Sequence, residues 1–368
     1  MLDTIILEIP IKFSAITDPN QFNPPARIVE NLQGFFKCTN NRKAIDRKSG
    51  IYKPKLTLIK RIKMLYLKIE FSAPKMLFDN NLDEAQDSDF NELVLKIQNV
   101  VRGMGVMLWT HEIENANVIG FHPSKNIILT KGYTSSFAIR ELSKINLSQK
   151  MDLERVGFRN DGESIQLYSN RHSIVFYDKI NDLTKPAKRA IDKDQTKQQT
   201  NLFEFIKKEK KNIEVLRFEI RISHKDKMVE ILDRIGFKER PTLKSIFKKD
   251  LCQKIVSLYW NDLFGSNLFL FNTYNNPQKI LEMILMKYPK TKIRTAVMLV
   301  GLKLLCKDDA GVRGFRKIAG SYKPKTNWLT LRKYLKKFED EFFTIPIHGF
   351  VKDIKNSIKE FEAFKLIK

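Results

Sequence analysis

With 368 residues, 42% of them hydrophobic and 11% aromatic, the chain is no disordered protein and is long enough for two domains with separate cores. Its 66 lysines and arginines outnumber 42 acidic residues, a formal charge of +24 spread from end to end that calls for a polyanionic partner bound salt-sensitively. DNA or RNA suits that charge better than a membrane, because no long basic amphipathic anchor stands out and the apolar run Ile293–Leu305 is cut short by Lys and Gly.

The N-terminal MLDTIILEIPIKF carries an acid at position 3 and alternates like a strand over Thr4–Phe13, so it is not read as a signal peptide. Lys55–Ile59 and Met64–Phe71 (MLYLKIEF) alternate in the same way. Ser88 is placed to cap a helix to about Arg102, with Leu93, Ile97, Val100 and Val101 on one stripe. Asn117–Leu129 returns to strand around a polar turn at Pro123–Lys125, Ser135–Ile145 predicts a serine-capped helix, and Ser164–Lys179 predicts a hairpin. Leu183–Asn201 is polar and aperiodic, an exposed excursion, before strand character resumes at Ile213–Ile222. Beyond His224 the pattern turns helical: Asp226–Ile235, Thr242–Cys252, Gln278–Lys287, Lys292–Leu305, Ala310–Ala319, Asn327–Phe343 and a basic tail helix from Val351. The expectation is an α+β protein, with an antiparallel-sheet domain at 1–224 and a mainly helical domain at 225–368. Cys38, Cys252 and Cys306 stand far apart without a CxxC pair, as buried thiols in a reducing compartment would, and a cytoplasmic protein is expected.

The stretch Gln166–Leu183 (QLYSNRHSIVFYDKINDL) strings two tyrosines, a histidine and a lysine along strand-like sequence. A tyrosine on a rigid strand beside cations can attack a phosphodiester and hold the product covalently. Four segments each place a polar group where alternation expects a packed face: Glu70, His122, Tyr177 and Glu219. Two carboxylates and an imidazole could hold Mg²⁺ or Mn²⁺ against a phosphate, with Lys179 or Arg171 binding the phosphate or lowering the phenol pKa. Each residue also has an ordinary role. Glu70 and Glu219 can pair with Lys68, Arg217 or Arg221, His122 can end a strand before Pro123, and Tyr177 can pack across strands. The functional reading stands or falls on whether the four meet at one concave surface.

Other templates are absent: no GxxxxGK[ST], no HExxH (His111–Glu112 lacks the second histidine), and a Gly103–Gly105 pair without the third glycine of a dinucleotide site. Gly311–Lys337 offers two short helices about a polar turn, Ser321–Thr326, the second bearing Trp328, Arg332, Lys333, Lys336 and Lys337. That is a DNA-binding helix-turn-helix or a plain helical hairpin with a basic face.

The ordered series IEFSAPKMLF, a helix, VIGFHPSKN, YSNRHSIVFYDKINDL and VLRFEIRI resembles the rolling-circle replication initiators of filamentous phages and related plasmids (the phage gene II/X protein family). The likeness extends to YWNDLFG at Tyr259–Gly265 and TNWLTLRKYL around Trp328, and covers most of residues 60–340. It implies a relaxase-like nicking–joining domain in a bacterial host cell. Such an enzyme cuts one strand of a double-stranded origin, keeps the 5′ phosphate as a tyrosyl ester and later rejoins the single strand. A host helicase and polymerase would be further partners, with no membrane. By position Tyr177 matches the nucleophile, Tyr168 is the fallback, and His122 falls in the metal-ligand segment. Glu219 and Glu70 extend that ligand set, and Arg171, Arg217, Trp328, Arg332, Lys333 and Lys336 are the expected DNA contacts. The GFHP segment has one histidine where the wider superfamily often has two. The alternative is a non-catalytic origin-binding initiator or repressor, which needs no metal and cuts nothing; an RNA-binding role lacks an evident stacking motif.

Overall fold

The computed structural model describes residues 1–27, 34–40, 51–62, 64–145, 153, 155–159, 162–184, 213–265, 270–271, 273, 276–308, 311–322 and 347–365. The protein is α+β. Among the described residues nine strands form one antiparallel sheet: β1 (Leu2–Ile11), β2 (Phe36–Asn40), β3 (Lys55–Arg61), β4 (Met64–Ser72), β5 (Asn117–Ile128), β6 (Arg155–Arg159), β7 (Ser164–Tyr168), β8 (His172–Asp178) and β9 (Val215–Ile222). Their order is β2-β3-β4-β1-β5-β9-β8-β7-β6, so the first strand lies mid-sheet between β4 and β5. The predicted hairpin is β7–β8, with Tyr168 opposite Ser173 and Ser164 opposite Tyr177.

Alternation explains the two faces. On one, Phe176 and Phe218 stack at 4.5 Å between centroids, and Phe264 and Trp260 meet them edge-on. Trp260 comes from a helix, Lys249–Leu263, that also packs on β5, and Phe264 is that helix's C-cap. The opposite parity gives Tyr177, Arg217, Glu219 and Arg221, which are linked by polar contacts. Both faces of β8 are buried along its whole length.

The helices are α1 (Ala73–Phe78), α2 (Phe90–Gly103), α3 (Thr110–Glu114), α4 (Ser135–Leu142), α5 (Lys179–Thr184), α6 (Lys225–Arg234), α7 (Leu243–Ile246), α8 (Lys249–Leu263), α9 (Pro277–Lys287), α10 (Ile293–Lys307), α11 (Gly311–Tyr322) and α12 (Gly349–Glu360). Thr134 rather than Ser135 caps α4, its Oγ1 accepting from the Phe137 N–H. The single helix expected over Thr242–Cys252 is two, because Phe247 leaves the helical region at ψ 66° and α8 then starts afresh. Buried side chains from both sides of residue 224 belong to one continuous cluster. No helix among the described residues is long and apolar enough to cross a membrane.

The turn expected at Pro123–Lys125 does not form; β5 runs straight through it. Its polar residues stay in the strand because they have buried partners. Ser124 Oγ accepts from Arg217 at 2.9 Å, and Lys125 Nζ donates at 2.7 Å both to Glu84 and to the Glu362 carbonyl. Glu84 is the hub of that seal, also accepting from the N–H groups of Asn126 (2.7 Å) and Phe364 (2.9 Å). Burial opposes its ionisation, but the Met1 ammonium, Lys125 and the Phe364 N–H outweigh it and hold the carboxyl at about 2. Its stabilisation is therefore complete above pH 4.5 and lost as pH falls towards 2. Glu84→Gln is expected to cost about 3–5 kcal/mol at pH 7. Urea titrations at pH 7 and pH 3 would show the gap between variant and wild type narrowing in acid; an equal gap at both would place the charge effect elsewhere.

Candidate active site

A cleft of about 380 Å³ opens on the polar parity of the sheet, lined by residues of β1, β4, β5, β9 and the segment before β3. Glu70, His122 and Glu219, three of the four residues expected to converge, line it together. The fourth, Tyr177, reaches it through Glu219, its hydroxyl donating to Oε2 at 3.2 Å.

Glu219 is the centre of the arrangement. It is 2% exposed, and its carboxylate accepts from Arg221 Nε at 2.8 Å. Arg217 Nε lies 3.9 Å away and His122 Nδ1 3.5 Å away. Burial alone would raise its pKa, but Arg221, the His122 hydrogen bond and Arg217 hold it well below the usual range. His122 Nε2 meets Ser223 Oγ at 3.4 Å, which fixes the ring between two strands. Asp3 enters because the β1–β5 register slips between Leu2 and Ile5, so that Asp3 and Thr4 both line the cleft.

The Tyr177 phenol is pushed well above 10, first by burial and then by Glu219, with Arg217 pulling it back. The cation that eases its ionisation is therefore Arg217, where the sequence suggested Lys179 or Arg171. Lys179 Nζ sits 5.5 Å over the Tyr177 ring, and burial together with Arg217 lowers it to about 7. The folded lysine gives up its proton near 7 while the unfolded one keeps it to 10.5, so its drag on stability is greatest below pH 7 and fades as pH rises to 10.5. Lys179→Met should raise the melting temperature at pH 7 by about 2–4 °C and flatten the pH dependence of stability between 7 and 10.5. Thermal melts at pH 7 and 10 check this; a variant less stable than wild type at pH 7 would mean the ammonium is held, not suffered.

Tyr168 lies on the same face, across Ser173 from Arg221, and is half-buried where Tyr177 is 8% exposed. Arg171 is exposed in the β7–β8 turn. Arg217, expected to touch DNA, has no exposed surface. Its guanidinium binds Asp3 (3.3 Å), Ser124 (2.9 Å), Asn126 (3.2 Å) and the Asn81 carbonyl (3.2 Å), so it is an internal tie. Trp328, Arg332, Lys333 and Lys336, with the second helix of the helix-turn-helix candidate, lie outside the described residues; its first helix is α11.

For a divalent ion, His122 and Glu219 stand side by side, but the rest of the expected ligand set does not join them. Glu70 is 39% exposed and pairs with Lys68 at 3.7 Å. Among the described residues no three of His, Cys, Asp and Glu converge. Both Glu219 oxygens already face guanidinium or phenol donors. As arranged, these residues do not fit a metal centre. The ordinary pairings foreseen for Glu70 and Glu219 are thus present in the same cleft as the functional ones. The thiols of Cys38, Cys252 and Cys306 are buried and pushed up to between about 11 and about 12, which removes them as nucleophiles.

Sequence reasoning missed Asp3, Lys53, Lys75 and Tyr52 in the cleft. Tyr52 accepts from the Ser72 N–H at 2.6 Å, with Lys75 Nζ 5.8 Å over its ring. Asp3 had a strand signal but no sign that its strand would lie mid-sheet. The chain matches no family profile, no curated protein and no solved structure.

Proposed function

We propose that the cleft binds a phosphodiester of DNA and that Tyr177 attacks it, nicking one strand in the manner of a rolling-circle replication initiator. What carries this reading is that Tyr177, His122 and Arg221 meet on one buried carboxylate beside an open cleft in a chain of charge +24. Arg221, 36% exposed, is the cation best placed to reach a phosphate. Drawn towards the phosphate, it would leave Glu219 and make that carboxylate more basic where the phenolic proton must go. The phenolic oxygen then bonds to phosphorus, the phosphorus–O3′ bond breaks, and the proton passes to Glu219. The departing 3′ oxygen takes a proton from water or from His122. Bond energy is kept in the phosphotyrosine, so the reverse transfer rejoins the strand without a nucleotide cofactor.

The test is incubation of the purified protein with supercoiled plasmid carrying its own gene and flanking DNA, run on denaturing gels after protease. Nicked circles whose 5′ end is blocked by peptide are expected. Glu70→Gln should change the rate by about threefold or less, whereas His122→Ala should lower it more than about tenfold. Equal losses would restore Glu70 to the centre of the site.

The second reading, a non-catalytic origin-binding initiator or repressor, is favoured by the burial of Tyr177 and the full satisfaction of Glu219, as in a structural network. It predicts salt-sensitive binding of the same DNA with intact supercoils.

A further inference from the structure

α10 (Ile293–Lys307) carries apolar residues on every side rather than on one stripe, a pattern closer to that of a helix covered all round. Among the described residues only one side is covered, with Ala296, Leu299, Val300, Leu302, Lys303 and Cys306 buried there. On the other side Ile293, Val297 and Leu305 are 60%, 53% and 57% exposed. At about 100° per residue the sevenfold spacing of Arg294, Gly301 and Asp308 puts all three in a row along that same bare face. A side chain at Gly301 would meet nothing within 4 Å. Arg294 and Asp308 are both exposed, and among the described residues neither forms an ion pair. The face is symmetrical in character about Gly301: a cation seven residues before it, an anion seven after, Val297 and Leu305 at four either side.

We propose that α10 is a homodimer seam, on which the α10 of a second copy packs antiparallel about a two-fold axis at Gly301. A two-fold contact requires that if one residue meets another, the second meets the first. Here Arg294 of each copy meets Asp308 of the other, Val297 meets Leu305, and the paired glycines let the helices close to the near limit of helix packing. This charge match selects a second copy over an unrelated apolar partner, and the antiparallel direction over the parallel one. Parallel pairing would set Arg294 against Arg294 and Asp308 against Asp308. The chain's net charge opposes self-association, so the seam is expected to tighten as salt screens the long-range repulsion.

Light scattering and sedimentation of the full chain at about 0.15 M salt, where screening acts within about 8 Å, should give twice the chain mass. Arg294→Asp and Asp308→Arg should each weaken the dimer at least about tenfold, by bringing like charges together. The double variant R294D/D308R should recover it, and the two single variants mixed should pair with each other. All these positions are exposed, so circular dichroism should show wild-type folding throughout. A wild type monomeric at every concentration overturns the proposal. So does a folded double variant that stays monomeric, or a larger mass indifferent to both reversals.

Discussion

Tyr177→Phe is expected to abolish the covalent protein–DNA adduct and lower nicking by about 10⁴-fold or more, the scale seen when a nucleophile is removed from a concerted site. Binding of the same DNA should be nearly unchanged, because the lost hydroxyl is buried and makes its bond to Glu219 within the protein. Removing a donor from a carboxylate that keeps Arg221 and His122 should cost the fold only about 1 kcal/mol. The measurement is adduct formation on labelled DNA beside a melting curve. An adduct that persists in this variant and disappears in Tyr168→Phe would move the nucleophile to the half-buried tyrosine one strand away. An adduct that persists in both would remove tyrosine chemistry on this face.

Arg217→Met should destabilise the fold on the same scale as Glu84→Gln, a loss of about 3–5 kcal/mol. The guanidinium is fully buried and holds β1, β5, β9 and the Asn81 carbonyl together. Without it Asp3 and Glu219 lose a shared cation, and Ser124 and Asn126 lose a donor. Chemical denaturation measures the loss. Adding Asp3→Asn should recover part of it, since one of the stranded charges is then gone. If Arg217→Met instead weakens DNA binding while leaving the midpoint in place, the residue reaches its partner by a route the buried geometry does not suggest.

Much of this arrangement was legible in the chain because local patterns carried it. Strand alternation located β1, β3, β4, β5, β9 and the β7–β8 hairpin, and the chemistry of Glu70, His122 and Glu219 marked them as polar groups on faces where packing was due. What failed did so for non-local reasons. Ser124 and Lys125 look like turn residues until Arg217 and Glu84 are brought beside them, and nothing near position 124 announces either. Arg217 looks like a surface cation for the same reason. Its burial depends on Asp3, which sequence separates from it by most of the sheet. The expected ligand role of Glu70 was limited by Lys68, a neighbour visible in the sequence but weighed only as an alternative.

The bonds between Glu84 and the Phe364 N–H join residues 280 positions apart. β1, ahead of both in the sequence, needs β4 and β5 before it is flanked, and the seal over β5 needs residues beyond α12. On the ribosome, then, the cover over β5 waits for residues 362–364, and refolding is expected to be slow because such contacts are so distant in sequence. A nascent or truncated chain lacking residues 361–365 would leave Glu84 and Lys125 bare at the middle strands, a form for chaperones to hold or proteases to remove.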